Sequence, residues 1–299
     1  MSTAWEKHLV TSAWLQEQIS GGKSDIRIVD MRGTVKAVTS TTGEQTAEYH
    51  GAFEEYQKGH IPGAIYLDWT SDIADIEDPI PAQAASPEKI EAVLSAVGIG
   101  NNTEVIAYDS HPSLQFATRL WWLLNYYGHT CVRVLQGGWS GWLDGGHPIS
   151  QGVTQHLPAV FTPVVQPEMR TTAEQILQSL NQGSSACQVI IDARDEGQFT
   201  GKIRRGARGG HIPGAVNIPR EAICAASGQF KTEAELKHLF ASLLPALTPD
   251  STAIAYCNGG VAATAVLFAL SIAGHNKICN YDGSWNEWNL RSELPIEQG

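Results

Sequence analysis

The chain has 299 residues, roughly twice an average domain, which predicts two domains. Hydrophobic residues make up 42% and charged residues 17%, a composition that excludes intrinsic disorder. With 31 Asp and Glu against 20 Lys and Arg, the formal charge of -11 argues against a general nucleic-acid or membrane surface and leaves room for a small basic pocket.

Residues 1–7 lack a basic patch followed by an apolar core, and no later run approaches the roughly 18 uncharged apolar residues of a membrane span. A soluble, cytoplasmic protein is expected. Apolar runs at 26–29 and 105–108 predict buried strands, and the three-and-four spacing over 117–127 predicts a helix. Gly98 and Gly128 fall where helices should end, as does Gly274. From 145 to 168, Pro148, Pro158, Pro163 and Pro167 interrupt any regular element, so one domain is placed at 6–150 and a second at 170–299. The second half repeats the alternation, with strands at 189–191 and 253–256 and helices at 232–244 and 262–272. Each domain is therefore read as α/β, a mainly parallel sheet with helices on both faces.

The halves are diverged copies. Gly59-His60-Ile61-Pro62-Gly63-Ala64 returns as Gly210-His211-Ile212-Pro213-Gly214-Ala215, and Asp30-Met31-Arg32 as Asp192-Ala193-Arg194. Ile106-Ala107-Tyr108-Asp109 matches Ile254-Ala255-Tyr256-Cys257, and the Trp139/Trp142 pair matches Trp285/Trp288. Offsets of domain size indicate duplication and not a solenoid. Rigid Pro and permissive Gly around His60 and His211 point to architecture, and the Trp pairs to packing.

Chemistry is expected at Cys257. It ends a buried strand and opens the turn Asn258-Gly259-Gly260-Val261 before a helix. Inward backbone N–H groups and a helix N-terminus favour thiolate over thiol. Cys131, Cys187, Cys224 and Cys279 lack such a loop and are expected to be structural; no CxxC or spaced metal-ligand set occurs, so neither metal nor cofactor is expected. A cysteine phosphatase needs Arg after Cys-x5, and Ala263 stands there. Arg194 and the Arg204, Arg205, Arg208 group are candidate anion-binding residues, since guanidinium suits planar oxyanions.

The residues Asp192-Ala193-Arg194, Phe199-Thr200-Gly201, the Gly210 to Pro219 stretch, Tyr256-Cys257 and Tyr281-Asp282-Gly283-Ser284-Trp285 together resemble the two-domain rhodanese-like sulfurtransferases, which include thiosulfate and 3-mercaptopyruvate sulfurtransferases. The resemblance covers nearly the whole chain. It implies a catalytically inactive N-terminal copy, with Asp109 in place of the cysteine, and double displacement through a Cys257 persulfide. By the same resemblance Asn258, Gly259, Gly260 and Val261 hold the persulfide, Arg194 and Arg205 orient the anionic donor, and Asp68 borders the pocket. The implied partners are a small sulfur donor and a thiol, cyanide or thioredoxin-like acceptor. Thiosulfate enzymes place Arg and Lys after the cysteine, and mercaptopyruvate enzymes Gly and Ser; Asn258 and Gly259 match neither, and the missing cations lean toward 3-mercaptopyruvate. The competing expectation is a sulfur-carrier or regulatory protein-binding module with little turnover.

Overall fold

The computed structural model describes residues 4–41, 43–182 and 188–299. Its first half carries α1 (Ala4–His8), β1 (Leu9–Val10), α2 (Ser12–Ser20), β2 (Ile26–Asp30), β3 (Gly33–Thr39), β4 (Gln45–Gly51), α3 (Phe53–Lys58), β5 (Ile65–Tyr66), α4 (Pro87–Ala96), β6 (Glu104–Tyr108), α5 (Gln115–Tyr126), β7 (Val132–Leu135) and α6 (Gly138–Asp144). The second half carries β8 (Arg170–Thr171), α7 (Ala173–Asn181), β9 (Gln188–Asp192), α8 (Glu196–Phe199), β10 (Val216–Asn217), α9 (Glu233–Leu243), β11 (Thr252–Tyr256), α10 (Ala263–Ile272), β12 (Ile278–Tyr281) and α11 (Ser284–Trp288).

Each half folds around a five-stranded, wholly parallel sheet. The orders are β1-β7-β6-β2-β5 and β8-β12-β11-β9-β10, the same path written twice. The centre of each sheet pairs its most apolar runs, Ile28 beside Ile106 in one and Ile190 beside Ile254 in the other. Strands buried on both faces need such continuous apolar sequence, because helices cover both sides. Polar caps set where helices begin: Thr172 and Thr232 each form a reciprocal box with Gln175 and Glu235. Gly98, Gly128 and Gly274 take positive φ after α4, α5 and α10, as expected of residues that end helices.

Two features bring the halves together. Every residue of α10 is buried, as are ten of α5, and the two helices pack on each other. A helix without a polar face has to be enclosed. Thr118 and Thr264 meet hydroxyl to hydroxyl at 3.1 Å between them, and one apolar core runs from Val29 and Ala107 to Ala255 and Val266. The second feature is an antiparallel ribbon, β3 with β4, that the sequence reading did not foresee. Its residues are largely exposed, so it carries no strong two-residue hydrophobic alternation. Its end reaches the second half, where Gln45 N–H donates to Arg204 O at 2.9 Å and Gly206 N–H to Gln45 O at 3.2 Å.

No helix among the described residues is long and apolar enough to cross a membrane.

Candidate active site

Strand β11 ends at Tyr256, and Cys257, 3% exposed, opens the turn that leads into α10. Gly260 has φ +72, and a Cβ there would lie 2.7 Å from Asp282 O, so this position requires glycine. The backbone N–H groups of Asn258, Gly259, Gly260, Val261 and Ala262 donate to no other group among the described residues. They lie on the turn between the cysteine and the start of α10, most of it lining one cavity with Cys257, and unpaired backbone donors at such a turn suit an anion.

The turn is fixed from behind by the β12–α11 connection. Cys257 N–H donates to Ser284 Oγ at 3.1 Å, and Ser284 Oγ donates to Tyr281 O at 2.8 Å. Trp285 N–H donates to Cys257 O at 3.0 Å, and Asn286 N–H to Asn258 O at 2.8 Å. Ser284 holds φ +52, a region costly for a residue with a Cβ; the corresponding position in the first half, Gly138, has φ +54. Below the loop, Gly260 O accepts from Asn280 Nδ2 at 3.1 Å and from Arg119 Nη1 at 3.4 Å.

Cys257 lies at a cavity of about 290 Å³ between the two halves. The second half supplies Gln198, Arg205 and Arg220 with the loop, and Asp195 at the rim; the first supplies Gln45, Tyr49, His111 and Gln115. An amide chain crosses the cleft: Asn258 Nδ2 donates to Gln198 Oε1 and Gln198 Nε2 to Gln45 Oε1, each at 3.0 Å. Asn258 Oδ1 is buried without a partner among the described residues. Arg205 Nη1 donates to Thr46 O at 2.7 Å, which pins the guanidinium at the cavity wall. His111 is held neutral, its pKa pushed down to about 4 by burial and by the nearby Arg220 charge.

The first half shows the same loop with the cysteine replaced. Asp109 is fully buried, and its carboxylate accepts from His111 N–H at 2.6 Å and from Phe116 and Ala117 N–H at 2.8 Å each. Burial nonetheless raises its pKa to about 7. This copy keeps the turn, and the Asp109 carboxylate takes up its N–H donors.

Several expected site residues stand elsewhere. Arg194 is not in the cavity. It is 1% exposed, forks onto Asp192 with contacts of 2.6–3.1 Å, donates to Gly210 O at 2.7 Å and lies over Trp285. Arg32 repeats this in the first half, forking onto Asp30, donating to Gly59 O and lying over Trp139, so the motif braces each domain. Arg208 spends its guanidinium on the carbonyls of Trp288, Asn289, Arg291 and Leu294, while Arg204 is exposed. Asp68 does not border the cavity either; its Oδ1 accepts from the Thr70 N–H and hydroxyl. His60 and His211 stack on Tyr56 and Phe199 and bond to backbone carbonyls. The described cysteines are all free. Burial pushes the thiols of Cys224 and Cys279 up to about 11 and about 12, while Cys131 is exposed; Cys187 lies outside the described residues. Among the described residues no cluster of His, Cys, Asp or Glu is arranged to hold a metal ion.

Sequence reasoning missed Gln198, Arg220 and His111. Arg220 follows Ile218-Pro219 directly, and His111 is two residues beyond the Asp109 that marks the duplicated loop; those were the available signals.

A model of the rhodanese-like domain matches residues 11–144 and again 172–291. The chain belongs to the rhodanese family. It is 31% identical to 3-mercaptopyruvate sulfurtransferase of Escherichia coli (strain K12), with 99% of each chain covered, and 32% identical to thiosulfate sulfurtransferase of Rattus norvegicus, covering 97% of this chain and 95% of the relative. Among solved structures it is similar to Escherichia coli SseA, described as a 3-mercaptopyruvate sulfotransferase of rhodanese fold, with TM-score 0.77, 29% identity and coverage of 95% and 99%. The protein is a two-domain rhodanese-like sulfurtransferase, moving sulfur through a cysteine intermediate to a thiol or cyanide acceptor. Relatives with both donor names align with it end to end at nearly equal identity.

Proposed function

We propose that Cys257, in the unit drawn at 170–299, is the sulfur carrier, that the unit at 6–150 is catalytically inactive and supplies the facing wall, and that the donor is of the 3-mercaptopyruvate type in preference to thiosulfate. The carrying observation is the run of unpaired N–H groups from Asn258 to Ala262 that directly follows a cysteine at an interdomain cavity. With thiosulfate, the Cys257 thiolate attacks the outer sulfur; the S–S pair leaves with sulfite, and the new S–S bond makes the persulfide. With 3-mercaptopyruvate the thiolate attacks the thiol sulfur and the C–S pair leaves with carbon. Either persulfide anion would be held by the loop donors of Asn258, Gly259, Gly260 and Val261.

Donor preference rests on charge. The residues after the cysteine carry no cation, and the wall beside them is the neutral chain Asn258–Gln198–Gln45. Arg205 and Arg220 are the cavity's guanidinium groups, opposed by Asp195 at the rim. A single carboxylate is balanced by this set more fully than a dianion. The acceptor would be cyanide, a small thiol or a reduced thioredoxin-like protein reaching the outer sulfur through the cleft, in a reducing compartment such as the cytosol that suits free cysteines.

The test is intact-mass analysis after exposure to each donor, for wild type and Cys257→Ser. One added sulfur in the wild type, absent from the variant and discharged by a thiol over repeated turnovers, is expected. No gain with either donor, or a gain that survives the substitution, would sink the assignment; a single uptake without turnover would favour the sulfur-carrier module.

A further inference from the structure

His111 belongs to the inactive copy's loop, yet its ring lines the cavity at Cys257. The disabled loop thus serves as the opposite wall. Its Nδ1 is within 3.2 Å of Ser113 N–H and 2.9 Å of Ser113 Oγ. Because a backbone N–H can only donate, Nδ1 is the acceptor and the ring proton of neutral imidazole sits on Nε2. Nε2 has no partner among the described residues. Phe116 meets the ring edge-on, His111 N–H is fixed to Asp109 Oδ1 at 2.6 Å, and burial with the Arg220 charge keeps the ring uncharged. Among groups facing it, Arg205 and Arg220 are permanent cations and Asp195 is the rim carboxylate. The result is a preoriented neutral N–H donor at a cavity of mixed polar and apolar lining, the kind of group that stabilises a developing oxyanion without being titrated.

We propose that His111 Nε2–H donates to the carbonyl oxygen of a 3-mercaptopyruvate-type donor as that oxygen becomes the enolate oxygen in persulfide formation. This rests on the donor preference proposed above. In the step, the Cys257 thiolate pair forms the S–S bond and the C–S bond breaks with its pair passing to carbon. The carbon is reduced and held as the enolate, and the transferred sulfur is oxidised to the sulfane level. The proton of the donor thiol ends on the enolate carbon, so Cys-S⁻ and the mercapto-keto acid become Cys-S-S⁻ and the methyl keto acid with no other reactant. His111 keeps its proton throughout. Thiosulfate cleavage develops no such oxygen, since sulfite leaves with its charge already spread.

The experiment is single-turnover loading of Cys257 by 3-mercaptopyruvate, followed as pyruvate release, and by thiosulfate, followed as sulfite release. Wild type, His111→Phe and His111→Gln are compared. His111→Phe should slow pyruvate release about 10²-fold, the usual cost of losing one oxyanion donor, and slow sulfite release at least about tenfold less than that. His111→Gln, which keeps an N–H near the same place, should recover most of the loss. Equal slowing of both donors in His111→Phe, or no slowing of either, would overturn the proposal, since the first is what a packing defect gives. His111→Gln as slow as His111→Phe on pyruvate release would also count against it. If wild type releases sulfite but no pyruvate, the donor preference itself fails and takes this proposal with it; loss of pyruvate release confined to the variants separates the two.

Discussion

Replacing Arg119 by Met removes the charged group that ties the first domain to the Cys257 loop. The Arg119 side chain is 2% exposed and its partner Asp282 1%. Nη1 donates to Asp282 Oδ1 at 2.6 Å and Gly260 O at 3.4 Å, and Nη2 to Ala82 O at 2.7 Å. Deleting one member of a buried pair costs about 3–5 kcal/mol, because the other charge stays in a low-dielectric site. Asp282 would keep Ala84 N–H at 2.7 Å, Asn280 Nδ2 at 3.2 Å and Arg170 Nη2 at 3.4 Å. These remaining donors put the loss at the lower end, about 3 kcal/mol. Met retains much of the stem packing on Trp122, so little of this loss is hydrophobic. For a chain of 299 residues the melting point should fall by roughly 5 °C. Calorimetry and urea titration would measure it. The double variant Arg119→Met with Asp282→Asn should be less destabilised than the sum of the singles, since it no longer buries a carboxylate stripped of its shortest cationic partner, Arg170 standing farther off at 3.4 Å. A fall of less than about 2 °C, or strict additivity, would refute the account of Asp282 as a charge dependent on Arg119.

Three further outcomes can be checked. Gln198→Arg puts a cation into the neutral wall and should lower the thiosulfate KM roughly tenfold while changing that for 3-mercaptopyruvate less; steady-state kinetics with both donors would show it, and an unchanged thiosulfate KM would remove the charge argument. Gly260→Ala forces a Cβ to 2.7 Å from Asp282 at φ +72. It should cost about 1–3 kcal/mol and sharply reduce sulfur loading, and wild-type loading by mass analysis would contradict the role given to this turn. The third concerns pH. Burial lowers the pKa values of His8 and His111 to about 4, so the unfolded chain binds those protons from about pH 6.5 downward and the folded chain only near 4. Their contribution is present above pH 6.5 and lost as pH falls. Asp109, raised to about 7, acts oppositely, favouring the fold at low pH and fading as pH rises toward 7. Two histidines against one carboxyl should leave stability rising between pH 4 and 6.5. His8→Phe, which keeps the edge-on contact with Trp121 and Phe268, should flatten that limb in urea midpoints; a slope as steep as wild type would show that other groups govern it.

Much of the molecule was legible from residues alone, for a physical reason. Apolar runs such as Ile28-Val29 and Ile254-Ala255 can be buried on both faces only in a covered parallel sheet, and an apolar segment like 263–272 has to be an enclosed helix. The duplicated order of motifs repeats one chain path, and glycines with positive φ mark turns whose backbone must come close to something. Cys257 stood out because strand, cysteine, glycine turn and helix are adjacent in sequence. Which side chains face that cysteine was decided by tertiary structure. Arg194 looked like a substrate ligand because a cation beside a motif looks the same whether it serves an anion or a carboxylate two residues away; only the fold shows it forked onto Asp192. Gln198, Arg220 and His111 meet at the cavity from α8, the segment after β10 and the loop that follows Asp109 in the first half. Their convergence depends on α5 packing against α10 and on the ribbon reaching Arg205, contacts more than a hundred residues apart along the chain.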